Sequence, residues 1–193
     1  MIKKTIKNKM ALPHYSQDQT SRKGSQWEPV QANLFEVTII PPSGVKGAPL
    51  LLQHVNSIGG LDLYKEVAEV TQKYKFATRS YAGMPDSTSL DITINFSLNL
   101  NDSNQAYLYK TMREWYNLAY DPQNGIMGLK KDYTGTLVIV QFNRAGDIYR
   151  TITLEDCFIK SGLPFTNELS YESGDPATLE VGFRCDTFKE VLA

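Results

Sequence analysis

The sequence predicts a mainly β protein of six to eight strands, mostly antiparallel, with one α-helix packed on them. Three observations lead to this prediction. Apolar and polar residues alternate along most of the chain from Asn33 onward, which is the side-chain period of a strand with one buried face. A single segment has the apolar spacing of a helix. A short polar loop containing glycine joins two apolar runs, as in a β-hairpin.

Length and charge narrow the classes of protein further. The 193 residues are enough for one well-buried domain, and 41% of them are hydrophobic, as in soluble globular proteins. The 20 basic and 21 acidic side chains nearly cancel, which argues against a dedicated nucleic-acid binder. The sequence contains no apolar run of the roughly 18 residues that span a bilayer. It also lacks the apolar run of a secretory signal, so we expect synthesis and retention in a cytoplasm.

The first 32 residues differ from the rest of the chain. They are polar, have no sustained apolar period and hold six basic and two acidic residues. We therefore predict a basic arm over residues 1–32 outside a core domain of residues 33–193. The arm is either a floppy terminus or a segment that orders only against a partner.

Three strands are predicted in the first half of the core domain. Alternation over Phe35–Ile39 ends at two prolines, as expected for a strand and its stop. The apolar run Leu50–Val55 is closed by Ser57–Gly60. Lys73–Phe76 alternates basic and aromatic residues, which predicts a third strand, entered through the ambiguous stretch Leu61–Gln72.

The strongest strand signal lies in Leu90–Leu100. Six apolar residues alternate there without a fault with polar ones, which predicts a long strand with one dry face and one wet face. The wet face has the side chains of Ser89, Asp91, Thr93, Asn95, Ser97 and Asn99.

One helix is predicted after the capping candidates Asp102 and Ser103 and before the stop signal Asp121–Gly125. Its aromatic content could stack on a ligand, but the spacing favours packing onto a sheet. The apolar stripe consists of Leu108, Met112, Trp115, Tyr116 and Ala119.

The C-terminal part contains a hairpin and a final strand. Thr136–Phe142 and Ile148–Leu154 flank a polar loop in which Gly146 supplies the positive φ of the turn. The last strand alternates from Leu179 to Cys185, with the odd-numbered residues apolar.

The residues that usually carry catalysis or bind metals form no recognisable motif. Cys157 and Cys185 are far apart in sequence, and we interpret them as reduced, buried thiols, with a disulfide between two strands as the alternative. The two histidines, His14 and His54, share no neighbourhood in sequence. Nucleotide-binding, zinc-protease and hydrolase motifs are missing, so we predict no enzyme, no cofactor, no metal and no catalytic residue.

The segment Gln31–Ile39 resembles the opening strand of the tail tube proteins of contractile-tailed bacteriophages, in which a polar lead ends in an Asn-Leu-Phe-type strand start. The order of the later elements resembles the family as well. That order is a second strand with a long connection (Leu50–Gln72), a basic strand ending near Arg79, the strand Leu90–Leu100, the helix of Trp115, the hairpin around Gly146, the Cys-Phe-Ile stretch Cys157–Pro164 and an alternating strand to Phe188.

The resemblance implies an antiparallel β-barrel or sandwich with one flanking helix. Family members form hexameric rings that stack into a tube, as do the inner tubes of contractile injection systems. The implied function is structural, as a conduit for DNA or effectors that is driven through the host envelope when a sheath contracts. The implied partners are further copies of the chain, the tail sheath, baseplate and tape-measure proteins, with transient passage of DNA and no stable membrane association. The implied location is the virion tail, assembled in the host cytoplasm.

The resemblance also implies a role for the wet face of Leu90–Leu100. A DNA conduit must not hold phosphates, because each contact from Lys or Arg adds a favourable, salt-dependent binding term. The six polar side chains of this face include no Lys or Arg, so we predict that they line the channel. The alternative is an ordinary solvent-facing sheet surface.

Lys73, Lys75 and Arg79 are predicted to lie on one side of a strand, at even spacing. They would hold DNA if they lined a channel. We therefore expect them either to form salt bridges with a neighbouring subunit or to protect a sheet edge against wrong pairing.

The connection Ile58–Gln72 is too long for a simple turn and too apolar for a solvated linker. We predict that it reaches the adjacent ring and orders there, as the corresponding loop does in the family. The stacking candidates in it are Leu61, Leu63, Tyr64, Val67 and Val70.

Two other functions remain open from the sequence. The basic arm and the extended connection depart from the family pattern, so the chain could be an adaptor of the baseplate or neck with the same fold. A β-sandwich that binds carbohydrate through exposed aromatic residues, such as Trp27 and Trp115, is the alternative from a different class.

Overall fold

The computed structural model describes residues 30–45, 55–85, 89–98, 107–164, 171 and 176–193. Residues 34–193 form one compact unit. Several sequence predictions lie outside the described residues: most of the basic arm, the run Leu50–His54, the end of the long strand at Asn99 and Leu100, and the helix caps Asp102 and Ser103.

The described residues contain eleven strands and two helices. The strands are β1 (Phe35–Ile40), β2 (Val55–Gly59), β3 (Val67–Tyr74), β4 (Ala77–Pro85), β5 (Leu90–Ser97), β6 (Tyr120–Asp121), β7 (Ile126–Met127), β8 (Gly135–Phe142), β9 (Ile148–Ile159), β10 (Thr178–Cys185) and β11 (Thr187–Leu192). The helices are α1 (Tyr107–Ala119) and α2 (Lys130–Tyr133).

Seven of these strands form one antiparallel sheet system in the order β1-β8-β9-β10-β5-β2, with β11 also paired to β9. β9 belongs to both halves of the system. Its first part pairs with β8 and β11, and its end pairs with β10. The predicted mainly β, antiparallel fold is therefore confirmed, as an open arrangement in which no described strand pairing joins β1 to β2.

A shared bend in β9 and β10–β11, which we call the corner, joins the two halves. β9 pairs with β10 at Phe183↔Ile159 and with β11 at Thr187↔Glu155, so one register continues through the bend. Asp156 lies at the bend with a φ of 54°, a left-handed conformation that Asp adopts more readily than most residues. Both strands change their buried side at this point. The buried residues of β9 are Ile152 and Leu154 before the corner and Cys157 and Ile159 after it.

The core follows the alternation predicted from the sequence. Every apolar residue of β5 from Leu90 to Phe96 is at most 1% exposed, whereas the residues between them are exposed or half-buried. The inward residues of β1, β8 and β10 are buried in the same cluster. The members contributed by these three strands are Val37, Ile39, Leu137, Ile139, Leu179, Val181, Phe183 and Cys185.

α1 packs on the sheet through the predicted stripe, in which Leu108, Met112 and Trp115 are buried. The Trp115 ring lies 5.4 Å from that of Phe183, and its indole N–H donates to the Tyr133 carbonyl at 2.7 Å. A Cβ on Gly135 would lie 2.7 Å from the Trp115 ring. The indole therefore fits against the sheet because residue 135 has no side chain.

The hairpin β8–β9 has the predicted turn, but β8 begins one residue earlier than predicted and β9 continues past the predicted end, Leu154, to Ile159. Gly146 has a φ of 90°, and its N–H donates to the Asn143 carbonyl at 3.1 Å. The Asn143 side chain accepts a hydrogen bond from the N–H of Asp147 at 2.9 Å, which closes the loop with local bonds.

Several element predictions are wrong. The described residues contain eleven strands, where the sequence predicted six to eight, and β3 begins at Val67, inside the predicted connection Ile58–Gln72. A second, four-residue helix, α2, follows α1, where the sequence predicted one helix. β2 runs through Ser57 and Ile58, which the sequence assigned to the closing turn. Lys73–Phe76 is not one strand, because β3 ends at Tyr74 and a turn at Lys75 and Phe76 leads into β4.

Replacing Gly135 with Ala should destabilise the fold by about 1–3 kcal/mol, because an added Cβ would lie 2.6 Å from the Ile40 carbonyl oxygen and 2.7 Å from the Trp115 ring. Urea unfolding followed by tryptophan fluorescence measures the change. Gly162→Ala is the matched control, since nothing lies within 4 Å of its added Cβ. Equal stability of the two variants would contradict the account of how α1 is seated.

Candidate functional site

The first candidate surface is the outer side of β5, opposite the core. Ser89, Asp91, Thr93, Asn95 and Ser97 all lie on it, exposed or half-buried. The predicted wet face is therefore present from residue 89 to 97, and Asn99 lies outside the described residues. We call this side, together with the side chains that neighbouring strands contribute to it, the polar face.

β10 extends the polar face through its register with β5. Cα partners in an antiparallel pair present their side chains on the same side of the sheet. The register places Arg184 opposite Asp91 and Glu180 opposite Asn95. The face therefore contains charged groups that β5 alone does not reveal.

Two cations on the polar face converge on one carboxylate. Arg184 Nη1 lies 2.7 Å from Asp91 Oδ2, and its Nη2 donates to the Ser89 hydroxyl. Lys160 Nζ lies 3.2 Å from both Asp91 oxygens. β5 itself contributes no Lys or Arg to this face, as its sequence shows, but neighbouring residues of the fold add Arg184 and Lys160, and the channel-lining role stays a prediction. Both cations are nevertheless paired by Asp91.

These pairs keep Asp91 ionised. Partial burial raises the pKa of Asp91, but hydrogen bonds from Arg184 and Lys160 lower it by more, so the net pKa lies below its usual value. A carboxyl with a lowered pKa contributes stability above its unfolded-state pKa and loses it as the pH falls through the folded-state pKa. Because the Asp91 side chain is 52% exposed, each pair contributes about 1 kcal/mol or less.

Amide and hydroxyl groups on the side of the polar face toward β2 are bonded to each other. Asn95 Nδ2 donates to the Ser57 hydroxyl at 3.1 Å, and the Ser97 hydroxyl donates to Asn56 Oδ1 at 2.8 Å. Both acceptors come from β2, across the register shift between Val55 and Ser57. Uncharged side-chain pairs therefore link β5 to β2.

The second candidate surface is the hairpin β3–β4, which forms a two-stranded sheet of its own. Every residue of β3 is exposed, and so is every residue of β4 except the half-buried Gly83. The hairpin therefore has little of the apolar burial that normally stabilises a pair of strands.

The register gives the hairpin two different sides. One side, which we call the aromatic face, has Val70 opposite Tyr81 and Gln72 opposite Arg79. The other side is hydrophilic; its residues are Glu69, Thr71, Lys73, Thr78, Ser80 and Ala82.

The predicted set of Lys73, Lys75 and Arg79 does not share one side of a strand. Lys73 is on the hydrophilic side of β3, Lys75 is in the turn, and Arg79 is on the aromatic face of β4. The Arg79 guanidinium lies 5.6 Å from the centre of the Tyr74 ring. The spacing of these three residues was interpreted as lying along one strand, but the chain reverses direction at the turn of Lys75 and Phe76, between β3 and β4. The interface role of the three residues stays a prediction.

The connection between β2 and β3 is anchored to the chain's own core. Leu63 is 4% exposed, and Leu61 packs against the same cluster. Leu63 is thus buried and Leu61 partly buried in the chain's own core, and the stacking role of the five candidates stays a prediction. Tyr64, Val67 and Val70 remain 75%, 48% and 51% exposed.

Tyr64 fixes this connection onto β11. Its ring lies edge-on to Phe188 at 5.6 Å, and its hydroxyl donates to Glu190 Oε2 at 2.5 Å. Arg150 Nε lies 2.5 Å from the other Glu190 oxygen. The hydrogen bond from Tyr64 holds the pKa of Glu190 below its usual value, and the same bond raises the pKa of Tyr64.

Other kinds of site find little support in the described residues. They contain no group of three or more His, Cys, Asp or Glu side chains suited to hold a metal ion. Within the same ranges, every helix is too short or too polar to cross a membrane. Trp115 is 0% exposed and cannot stack on a sugar, and Trp27 lies outside the described residues.

The fold has counterparts among solved structures. A chain of the anti-feeding prophage cap, which terminates the AFP tube, matches with a TM-score of 0.59 at 16% identity, over 90% of this chain and 98% of that one. A chain of the extended PVC sheath–tube complex, from an extracellular contractile injection system, matches with a TM-score of 0.56 at 19% identity, over 93% and 98%. A chain of the extended PVC sheath/tube terminator matches with a TM-score of 0.58 at 17% identity, over 86% and 99%.

No protein-family model and no curated protein matches the sequence significantly. The structural matches establish the fold, which is that of tube and tube-terminator components of contractile systems. The resemblance to tail tube proteins is therefore confirmed at the level of fold.

Asp91→Asn should turn the polar face into a phosphate-binding surface, because it leaves Lys160 and Arg184 without their shared carboxylate. We expect severalfold tighter binding of a labelled duplex oligonucleotide at low salt. The slope of log K against log salt should steepen by about one to two. Fluorescence anisotropy at two salt concentrations measures both quantities.

Glu180→Gln is the matched control for Asp91→Asn. It removes one negative charge from the same face, but Glu180 forms no ion pair with a described residue. Equal DNA binding by the two variants would mean that net charge alone matters and that the Asp91 pairs do not mask the cations.

Proposed function

We propose that this chain is a structural tube subunit, whose copies close into hexameric rings that stack around a channel. The observation that carries the proposal is the hairpin β3–β4, whose residues are almost all exposed and which has apolar side chains on one face. The fold that bears this hairpin is shared with tube components. A subunit that exposes such an element is incomplete alone and gains stability by placing it against a neighbouring copy.

The hairpin supports association because a lone pair of strands is only marginally stable in water. Val70, Tyr74 and Tyr81 share the aromatic face and are 51%, 50% and 45% exposed. Their burial against a second copy would contribute about 25 cal/mol for each Å² of apolar surface removed from water. The hydrophilic side of the hairpin can then remain in contact with solvent.

Open sheet edges support the same conclusion. β1 and β2 end the sheet order, so each pairs with a described strand on one side only. Unpaired edges offer a row of N–H and C=O groups to another chain. Edge-to-edge pairing of sheets from successive subunits would join them into one continuous wall around a channel.

The polar face is the surface that we assign to the channel. Its hydroxyl and amide groups lie beside Lys160 and Arg184, which both pair with Asp91, and Glu180 adds a second negative charge to the same face. A polyanion such as DNA would pass along such a wall without strong binding. The proposed cargo is DNA or a protein effector. The chain would be a part of a tail, in contact with sheath, baseplate and tape-measure proteins and with no stable membrane association.

A tube-ending protein is the second candidate function. Two of the matched chains belong to a tube-terminating cap and to a sheath/tube terminator. Such a protein would form one ring per particle, whereas the tube subunit would be among the most abundant components. Quantitative mass spectrometry of purified particles distinguishes these two functions.

Val70→Asp should abolish tube formation, because it places a charge on the aromatic face of the hairpin where we expect subunit contact. Thr71→Asp is the matched control on the opposite, hydrophilic side, and should leave tubes intact. Both residues are exposed, so both variants should remain folded. Negative-stain microscopy of the purified protein, alone and with its assembly partners, measures the outcome. Normal tubes from Val70→Asp would contradict the assigned contact.

Lys73→Glu combined with Lys75→Glu tests the predicted salt bridges with a neighbouring subunit. We expect a folded monomer that no longer polymerises, since both charges are reversed at the tip of the hairpin. Lys110→Glu with Lys131→Glu gives the same charge change at exposed lysines of α1 and α2. Circular dichroism checks the fold and microscopy counts tubes. Unchanged tubes would overturn the interface role of Lys73 and Lys75.

A further inference from the structure

Cys157 and Cys185 face each other across neighbouring strands at the corner. β9 pairs with β10 at Phe183↔Ile159 and with β11 at Thr187↔Glu155, and both ladders have the same register. Continuing that register places Cys185 directly opposite Cys157. Both side chains are 0% exposed and belong to the same core cluster.

The register bounds how close the two cysteines lie. On one side of the corner the N–H of Lys160 donates to the Gly182 carbonyl at 2.8 Å, and on the other the N–H of Ala193 donates to the Tyr149 carbonyl at 3.1 Å. These bonds belong to one register, but the hydrogen-bonded positions are even-numbered on the first side and odd-numbered on the second. Either kind of cross-strand pair holds its Cα atoms about 4.5–5.5 Å apart, within the range of about 4.4–6.8 Å that a disulfide spans.

Both cysteines are free thiols. A side-chain hydrogen bond with Cys185, together with burial, raises the pKa of Cys157. Because the thiolate is the reactive form, the folded chain should keep this dithiol unreacted under mild conditions.

We propose that Cys157 and Cys185 form an oxidisable dithiol, which closes to an intramolecular disulfide and then fixes the corner. Hydrogen peroxide, which is little larger than water, is the class of oxidant suited to so buried a site. One thiolate attacks peroxide to give a sulfenic acid and water, and the other thiol displaces the sulfenic oxygen as a second water. The dithiol loses two electrons and two protons, and one peroxide becomes two waters.

The disulfide would act on the part of the fold where the two halves of the sheet system meet. It would cross-link β9 to β10 beside Asp156, the residue with positive φ. It would also close the chain segment between the two cysteines, which restricts the unfolded state. We therefore expect the oxidised protein to melt about 5–10 °C above the reduced protein.

Treatment of the purified full chain with hydrogen peroxide tests the proposal. We expect free thiols to fall from two to none, a mass loss of about 2 Da from the two hydrogens removed, and a single peptide pair linking residues 157 and 185. Dithiothreitol should reverse the cross-link and the shift in melting temperature. Oxidation should accelerate in low urea, because access requires local opening of the corner.

Three results would overturn the proposal: dimers linked through these cysteines, separate sulfinic or sulfonic acids without the cross-link, or a cross-linked protein with an unchanged melting temperature. Cys157→Ser and Cys185→Ser each remove one partner, and should show neither the cross-link nor the increase in melting temperature. The wild-type peptide map decides the question even if a serine variant fails to fold.

Discussion

The shared register of β9 with β10 and β11 is the constraint on which the rest of the structure depends. Two sheets can enclose one core only if their common strands present apolar side chains to the interior on both sides of the bend. β9 and its partner satisfy this by changing their buried side at the same level, at Asp156 and Asp186. Had only one strand changed, every pair beyond the bend would have had one side chain inside and one outside.

Negatively charged side chains lie close together at the corner, and α2 places a positive charge beside them. Lys130 forms a salt bridge with Asp186, and that hydrogen bond raises the pKa of Lys130, with a smaller contribution from Asp156. The four-residue helix α2 thus places the Lys130 ammonium near the carboxylates of Asp156 and Asp186. The same segment provides the Tyr133 carbonyl that binds the Trp115 indole, so α2 connects the corner to the packing of α1.

The two-residue and helical apolar periods predicted most of the core, because the side chains of a strand or helix face the interior with those same periods. β5, β10 and the buried stripe of α1 follow directly from which residues are apolar. The turn after Tyr74 was missed because period two continues across it. The helix α2 is too short to have a period. The cations on the polar face come from Lys160 and Arg184, which are 69 and 93 residues from Asp91, and no local pattern reveals such pairs.

The charges and the exposed hairpin give the two proposed surfaces, one for association and one for the channel, opposite chemical character. The polar face pairs its cations internally, through Asp91, and its amides and hydroxyls with one another. Its polar groups therefore have few unmet bonds to offer a passing molecule. The hairpin is the opposite case, since its aromatic face has apolar area without cover among the described residues. The proposed function therefore assigns the association energy to the hairpin and the strand edges, and it assigns the polar face to the channel wall.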